Sequence, residues 1–178
     1  MKETEILLAI TSVIDSELAK QDIYSVVKSN VQPSVLDTEP TIYLAITSIK
    51  YRGFPKRNDL VKATEIEHLA GQLYESIIKI TGQVIRDISL PIDSLSLTSL
   101  ELTNKVATIL HGEQVRSVLK EQGIGVMKIE EISQAFYSDD EANKDQTFAS
   151  FNFTICYEEV IKTTSPITQS FEFKKYRV

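Results

Sequence analysis

One stretch constrains the fold more than any other. From Ser150 to Tyr157, the apolar residues Phe151, Phe153, Ile155 and Tyr157 alternate strictly with Ser150, Asn152, Thr154 and Cys156. Successive side chains of a strand point to opposite faces, so this period of two dictates a strand with one apolar face buried. A one-residue slip would turn that whole set into water, so the pairing register is fixed as well. A second run, Thr41 to Tyr51, is apolar on both alternating sets: Ile42, Leu44 and Ile46 on one, Tyr43, Ala45 and Ile49 on the other. It reads as a strand covered on both faces. A sheet with such strands needs another layer against it.

The rest of the chain supplies helices for that layer. Ile6, Leu7, Ile10, Val13, Ile14 and Leu18 recur at helical spacing, and the helix ends near Lys20–Asp22. Thr98-Ser-Leu-Glu101 has the form of a capping box and opens a helix with Leu102, Val106, Ile109 and Leu110 inward. His111-Gly112 stops it. Glu113 to Gln122 forms a further helical piece carrying Val115, Val118 and Leu119, with Gly123 placed to end it.

The connections are read from turn residues. Tyr24–Val27 is a short apolar piece, and Asn30 to Pro40, with Pro33 and Pro40, is a loop. Arg52 to Asp59, with Gly53 and Pro55, breaks the doubly apolar strand. Leu60 to Leu73 fits a helix through Ile66, Leu69 and Leu73, or a strand arm. Tyr74 to Arg86 is a strand in which Gly82 marks a bulge or a close approach. Asp87 to Leu97 is a connection, Val126 to Ile132 a strand, and Tyr137 to Asp145 an acidic loop. Thr163 to Pro166 is expected to turn. Ile167 to Val178 then makes a last strand, with Phe171 and Phe173 opposite Glu172 and Lys174. This order predicts an α+β fold: a mixed, mainly antiparallel sheet flanked by helices.

Composition excludes several classes. With 178 residues the chain is long enough for a core of its own. Hydrophobic residues are 42% and charged residues 25%, which is a globular balance and not a disordered one. No run approaches the roughly 18–20 apolar residues of a membrane-crossing helix, so no membrane partner is expected. Cys156 is the only cysteine, so no disulfide forms within the chain. The acidic start Met1-Lys-Glu-Thr-Glu5 lacks a basic leader pattern, and synthesis in a reducing cytoplasm is expected. The formal charge of −6 argues against gripping nucleic acid through net charge.

Chemistry has little material. Gly123-Ile-Gly125 follows a helix and precedes a strand, the reverse of a phosphate loop. Asp139, Glu141, Asn143 and Asp145 alternate as calcium ligands do, but Lys144 stands where the loop needs Gly, and Ser150 where it needs Glu. His68 and His111 have no second imidazole or thiolate at ligand spacing. Nothing adjacent to Cys156 would activate its thiol. No catalytic, cofactor or metal residues are assigned. The densest charge is basic: Lys50, Arg52, Lys56, Arg57 and Lys62. It reads as a charged hairpin tip, or as a face for nucleic acid or an acidic partner surface.

Certain segments have a familiar texture. They are Asn30-Val-Gln32-Pro33 … Glu39-Pro40, the apolar strand running into Gly53-Phe54-Pro55, the Tyr74-centred strand, Gln122-Gly-Ile-Gly-Val126 after a helix pair, and Ala149 to Tyr157. In this order they resemble the tail terminator or tail-completion (neck) proteins of long-tailed bacteriophages. The resemblance spans Ile6–Val160, which outlines a domain over residues 1–160. Residues 52–72 would then hold an insertion, and 161–178 a C-terminal strand extension.

The resemblance implies a structural virion protein of the tail and neck. It would form a homohexameric ring on the head-proximal end of the tail tube, stop tube polymerisation and dock the head–tail connector. In contractile particles it would also hold the last sheath ring. Genomic DNA would pass through the channel without sequence-specific binding, and six copies at −6 give about −36 per ring. The family has no catalytic residues to carry over. The residues picked for contact are Tyr51, Arg52, Phe54, Lys56 and Arg57, with Phe171 and Phe173 as an added strand. Another neck or connector component, and a small intracellular enzyme or ligand-binding domain, remain as alternatives.

Overall fold

Leu44, Ile80 and Phe151 face one another across three strands, as do Ile46, Ile78 and Phe153 one step along. These rungs are the floor of the core. The computed structural model describes residues 2–34, 39–62, 65–87, 97–139 and 144–166. Among them, α1 (Glu3–Ala19), β1 (Val26–Ser29), β2 (Thr41–Val61), β3 (Glu65–Asp87), α2 (Ser99–His111), α3 (Glu113–Glu121), β4 (Ile124–Ile129), β5 (Ser133–Asp139) and β6 (Lys144–Pro166) follow in that order. The sheet runs β1-β2-β3-β6-β4, with β5 also paired to β6. Only the β1–β2 pair among these is parallel. The fold is α+β with a mostly antiparallel open sheet.

The helices bury one stripe each against one face of the sheet. Ile6, Leu7, Ile10, Ile14 and Leu18 of α1, with Leu102, Val106 and Leu110 of α2, pack with Leu119 of α3 on Ile42, Leu44, Ile78, Ile80, Phe153 and Ile155. Each such side chain contributes about 1.5–3 kcal/mol by leaving water. Helix α2 begins as its capping box predicts. The Thr98 hydroxyl accepts from the Glu101 N–H at 3.1 Å, and the Thr98 N–H donates to Glu101 Oε2 at 2.9 Å. Gly123 ends α3 with φ +79°, a left-handed conformation that favours glycine.

Gly82 is a close approach. A side chain there would run into Thr103 Oγ1 of α2. That hydroxyl donates to Ser99 O at 2.7 Å and lies 3.2 Å from Ala149 O of β6, so it ties helix to sheet.

Several expectations are overturned. Arg52 to Asp59 does not break the strand. β2 continues to Val61, and Gly53-Phe54-Pro55 sits in a register shift between Arg52 and Lys56. This is a β-bulge, and Gly53 at φ +73° and an edge proline are residues such an irregularity accommodates. Pairing of β2 with β3 runs out to Val61 and Ile66, and the Lys62 N–H donates to Glu65 O at 2.8 Å. The basic cluster is therefore spread along a strand, not gathered at a tip. Of the two readings open for Leu60–Leu73, the strand arm holds: Leu60 and Val61 lie in β2 and Glu65–Leu73 in β3. Thr163–Pro166 does not turn; it pairs with Glu65–His68. The strand expected at Val126–Ile132 is β4, ending at Ile129, and the polar stretch after it contains β5. Cover on both faces of β2 holds for Thr41–Leu44 and then lapses. The expected strand Ile167–Val178, including Phe171 and Phe173, lies outside the described residues, as do Glu141 and Asn143.

Candidate functional site

β2, β3 and β6 are 21, 23 and 23 residues long, far beyond what the helices cover. The core cluster ends at Tyr74 and Tyr157. From there, the β2 residues from Tyr51 to Val61 are all exposed. The result is a three-stranded arm. Its outer β3 residues, Glu65 to Leu73, would reach about 30 Å at roughly 3.3 Å per residue.

An aromatic stack forms the root of this arm. Tyr51, Tyr74 and Tyr157 occupy one rung, with ring centroids 5.3 Å apart for the first pair and 5.4 Å for the second. Such pairs add about 0.5–1.5 kcal/mol beyond area burial. Burial, then the nearby Glu159 carboxylate, pushes the Tyr74 phenol up from its ordinary value.

Five of the predicted contact residues meet here. Tyr51, Arg52, Phe54, Lys56 and Arg57 all lie on β2, through and beside the bulge. Phe54 is 95% exposed and Tyr51 77%. Arg52 Nη1 lies 3.1 Å from Met127 Sδ and 3.9 Å from Glu75 Oε2. Beside the bulge, a recess is lined by Arg52, Phe54, Lys56, Gly71, Leu73 and Glu158. Of the fourteen exposed large hydrophobics among the described residues, eight are on these three strands outside the core: Ile49, Tyr51, Phe54, Leu60, Val61, Leu73, Val160 and Ile161. More than half of the exposed large hydrophobics among the described residues thus lie on the arm and its root, spread over both faces.

The outer part of the arm carries polar cross-links that the linear sequence does not reveal. His68 Nδ1 is 2.8 Å from Asp59 Oδ1, and His68 Nε2 is 2.9 Å from Ser165 Oγ. The three residues come from three strands, at separations of nine and 97 positions. Strand pairing brings them together: Asp59 is the register partner of His68, and Ser165 lies two residues from its other partner Thr163, a diagonal neighbour on the same face. The order Asp–His–Ser is that of a charge-relay triad. However, strand N–H groups lie in the plane of the sheet and do not rise to meet a substrate on its face, so the three described strands present no oxyanion cradle to the triad. Its work is to clip three strands together. On the other face Glu67 receives Lys62 at 2.7 Å and Lys162 at 3.7 Å. The hydrogen bond and charge of Lys62, then the charge of Lys162, lower the Glu67 carboxyl, while Glu67 raises Lys62.

A broader groove of about 530 Å³ lies on the face opposite the helices, between Val31–Pro33, Tyr43, Lys79 and Ser133–Ala135. No cluster of three metal-binding side chains occurs among the described residues. Cys156 is half-buried beneath Gly125, where a side chain would meet its sulfur.

No curated protein matches the chain. Among solved structures, a chain of the virion of a native gene transfer agent particle is 12% identical, covering 84% of this chain and 92% of that one, with a TM-score of 0.27. The catalytic domain of histidine kinase ThkA is 6% identical over 84% and 91%, with a TM-score of 0.20. Overlaps this loose carry no argument. A family profile is decisive: the one described as E217 gateway protein gp29 matches residues 5–167, through both the helical body and the arm. The chain belongs to the family of the E217 gateway protein gp29, a phage gateway family of the virion's head–tail neck.

Proposed function

We propose that this chain is a ring-forming structural protein of the neck and works as a tail terminator. A homohexameric ring closes over the head-proximal end of the tail tube, occupies the surface where the next tube subunit would add, and presents its other side to the connector. The mechanism is steric. The observation that supports this reading is the arm, whose apolar residues have no partner layer among the described residues. Heterologous surfaces of that kind close into rings when the rotation allows.

The bulge at Arg52–Lys56 is the contact we assign to the tube or a neighbouring copy, with Phe54 as its anchor. Phe171 and Phe173 add a strand within or between copies. In a contractile particle the same ring holds the last sheath layer. The net charge of −6 per copy lets genomic DNA pass without sticking.

The test is polymerisation of purified tube protein with and without this chain, viewed by negative-stain microscopy. Rings at one tube end, and tubes that stop growing, are expected. A strict monomer that neither caps tubes nor joins particles sinks the reading. Membership of a gateway family favours a second reading as well, an adaptor ring between connector and terminator. Copies per particle and position along the neck separate the two.

A further inference from the structure

We propose that the arms of neighbouring copies join edge to edge, β6 of one copy against β2 of the next, in a head-to-tail junction that continues the sheet around the ring. The inference rests on the ring-forming reading above and specifies the partner of the arm as a second copy of this chain.

Among the described residues both arm edges are open, so the strand assigned to Phe171 and Phe173 is placed away from the β6 edge. β1 covers β2 only from Thr41 to Leu44. β4 and β5 cover β6 only up to Tyr157. Among the described residues, β2 from Ala45 to Val61 and β6 from Glu158 to Pro166 therefore have one unpaired edge each. An edge of this length is a template for another strand. The two free edges also lie at the same height. Glu158 pairs with Leu73, which pairs with Arg52, and Ser165 pairs with Ile66, which pairs with Val61. A neighbour's β6 edge thus finds a β2 edge at the same height, uninterrupted from Lys56 to Val61 beyond the bulge.

Charge chooses between the possible junctions. The β2 edge carries Lys50, Arg52, Lys56 and Arg57 against Asp59, four minus one, or +3. The β6 edge carries Glu158 and Glu159 against Lys162, one minus two, or −1. Pairing β2 with a second β2 sets like charges together, whereas β6 with β2 sets opposite ones together. In the single chain Glu158 folds back over Gly71 into the recess it shares with Arg52 and Lys56, the residue types that a neighbour's β2 presents. Apolar residues accompany the charges on both sides: Leu60 and Val61 on β2, Val160 and Ile161 on β6.

Direction is consistent with a ring. β2 and β6 both run antiparallel to β3, so they are parallel to each other. Copies standing the same way up then meet through a parallel pair, and the contact is heterologous. Three strands from each of six copies would make roughly eighteen, in the range where closed barrels leave an aqueous channel.

Disulfide trapping tests the junction. In a Cys156→Ser background, chains carrying Lys162→Cys are mixed with chains carrying Lys56→Cys, Asn58→Cys or Leu60→Cys. Within one chain Asn58 and Lys162 both flank Leu69, so they stand two strand spacings apart, about 9–10 Å. That is beyond the roughly 7 Å limit for a disulfide, so any bond reports a contact between copies. Covalent pairs between Lys162→Cys and a β2 partner are expected. Amide exchange over Glu158–Pro166 should slow about tenfold or more on assembly. Rings that form without these disulfides and without protection overturn the junction and leave the ring reading standing. Cross-linking of Lys162→Cys with itself overturns it in favour of a symmetric contact. Absence of any ring, free or on tube ends, removes both.

Discussion

Two glycines of β3 look alike in sequence but should respond oppositely to a methyl group. At Gly82 the added carbon runs into Thr103 Oγ1 and lies 3.3 Å from Ser99 O of α2. At Gly71 it meets Glu158 Oε1 at 2.5 Å, the far end of a flexible exposed side chain. Neither has a positive φ. Gly82→Ala must therefore push α2 off the sheet or displace the Thr103 hydroxyl. Overpacking of this kind costs about 1–3 kcal/mol. Losing the bonds to Ser99 O and Ala149 O adds about 1–2 kcal/mol. The loss of chain freedom in the unfolded state returns about 0.4–1 kcal/mol. The net is a destabilisation of roughly 2–3 kcal/mol, with the melting temperature lowered by about 4–12 °C for a chain of this size. At Gly71 only the last contribution survives, and Gly71→Ala should be neutral or slightly stabilising.

Urea denaturation of the two variants, with m unchanged, reads this directly. A cycle with Thr103→Ala isolates the cause. Thr103→Ala alone should cost roughly 1–2 kcal/mol through its lost bonds. The double variant should lose little more than that, because the methyl added by Gly82→Ala then occupies the space vacated by Oγ1. The coupling is thus about 2 kcal/mol in the favourable direction. Additive energies within roughly 0.5 kcal/mol, or equal effects at Gly71 and Gly82, would refute the steric account.

Three other outcomes are expected. Hydrogen bonds from the Thr98 N–H and hydroxyl hold the Glu101 carboxyl below the usual carboxylate range. Its contribution to stability is therefore present above the unfolded value and lost as pH falls through the lowered one, so wild type and Glu101→Gln should differ at neutral pH and converge in acid; Thr98→Ala should cost about 1 kcal/mol. Glu67 is lowered by Lys62 in the same sense. Amide exchange over Glu65–Glu67 should thus rise below the ordinary carboxylate range, and Glu67→Gln should show that loosening already at neutral pH. Phe54 is 95% exposed, so Phe54→Ala should leave stability within about 0.5 kcal/mol while weakening tube capping in the polymerisation assay.

The parts of the fold legible in the sequence are those in which one face is buried. Ile6 to Leu18, Leu102 to Leu110 and Phe151 to Tyr157 carry periods because water lies on one side of them and the core on the other. The Thr98 cap and Gly123 are legible because each satisfies a local backbone demand. The arm is not legible, and for the same physical reason. Where both faces of a strand meet water, no period of two is imposed, so Arg52-Gly-Phe-Pro reads as a break and Leu60–Leu73 reads equally as helix. The Asp59–His68–Ser165 cluster is hidden because strand pairing, and not sequence proximity, assembles it. The contact residues proposed on β2 are picked through Phe54, an apolar side chain among charges.

The arm raises a question of stability that bears on its use. Two- and three-stranded ribbons without a packed layer are marginal in water. This one is continuous with buried strands, so its register is set at the rungs of Leu44, Ile80 and Phe151 and carried outward without a fresh nucleation event. The tyrosine stack bridges the passage from core to arm, and the His68 and Glu67 clusters fasten the outer end. These devices hold the strands together but leave Leu60, Val61, Val160 and Ile161 in water. A chain selected only for monomer stability would gain by replacing them with polar residues. Their presence beside edges unpaired among the described residues fits an arm finished by another surface, which is the condition the proposed ring would supply.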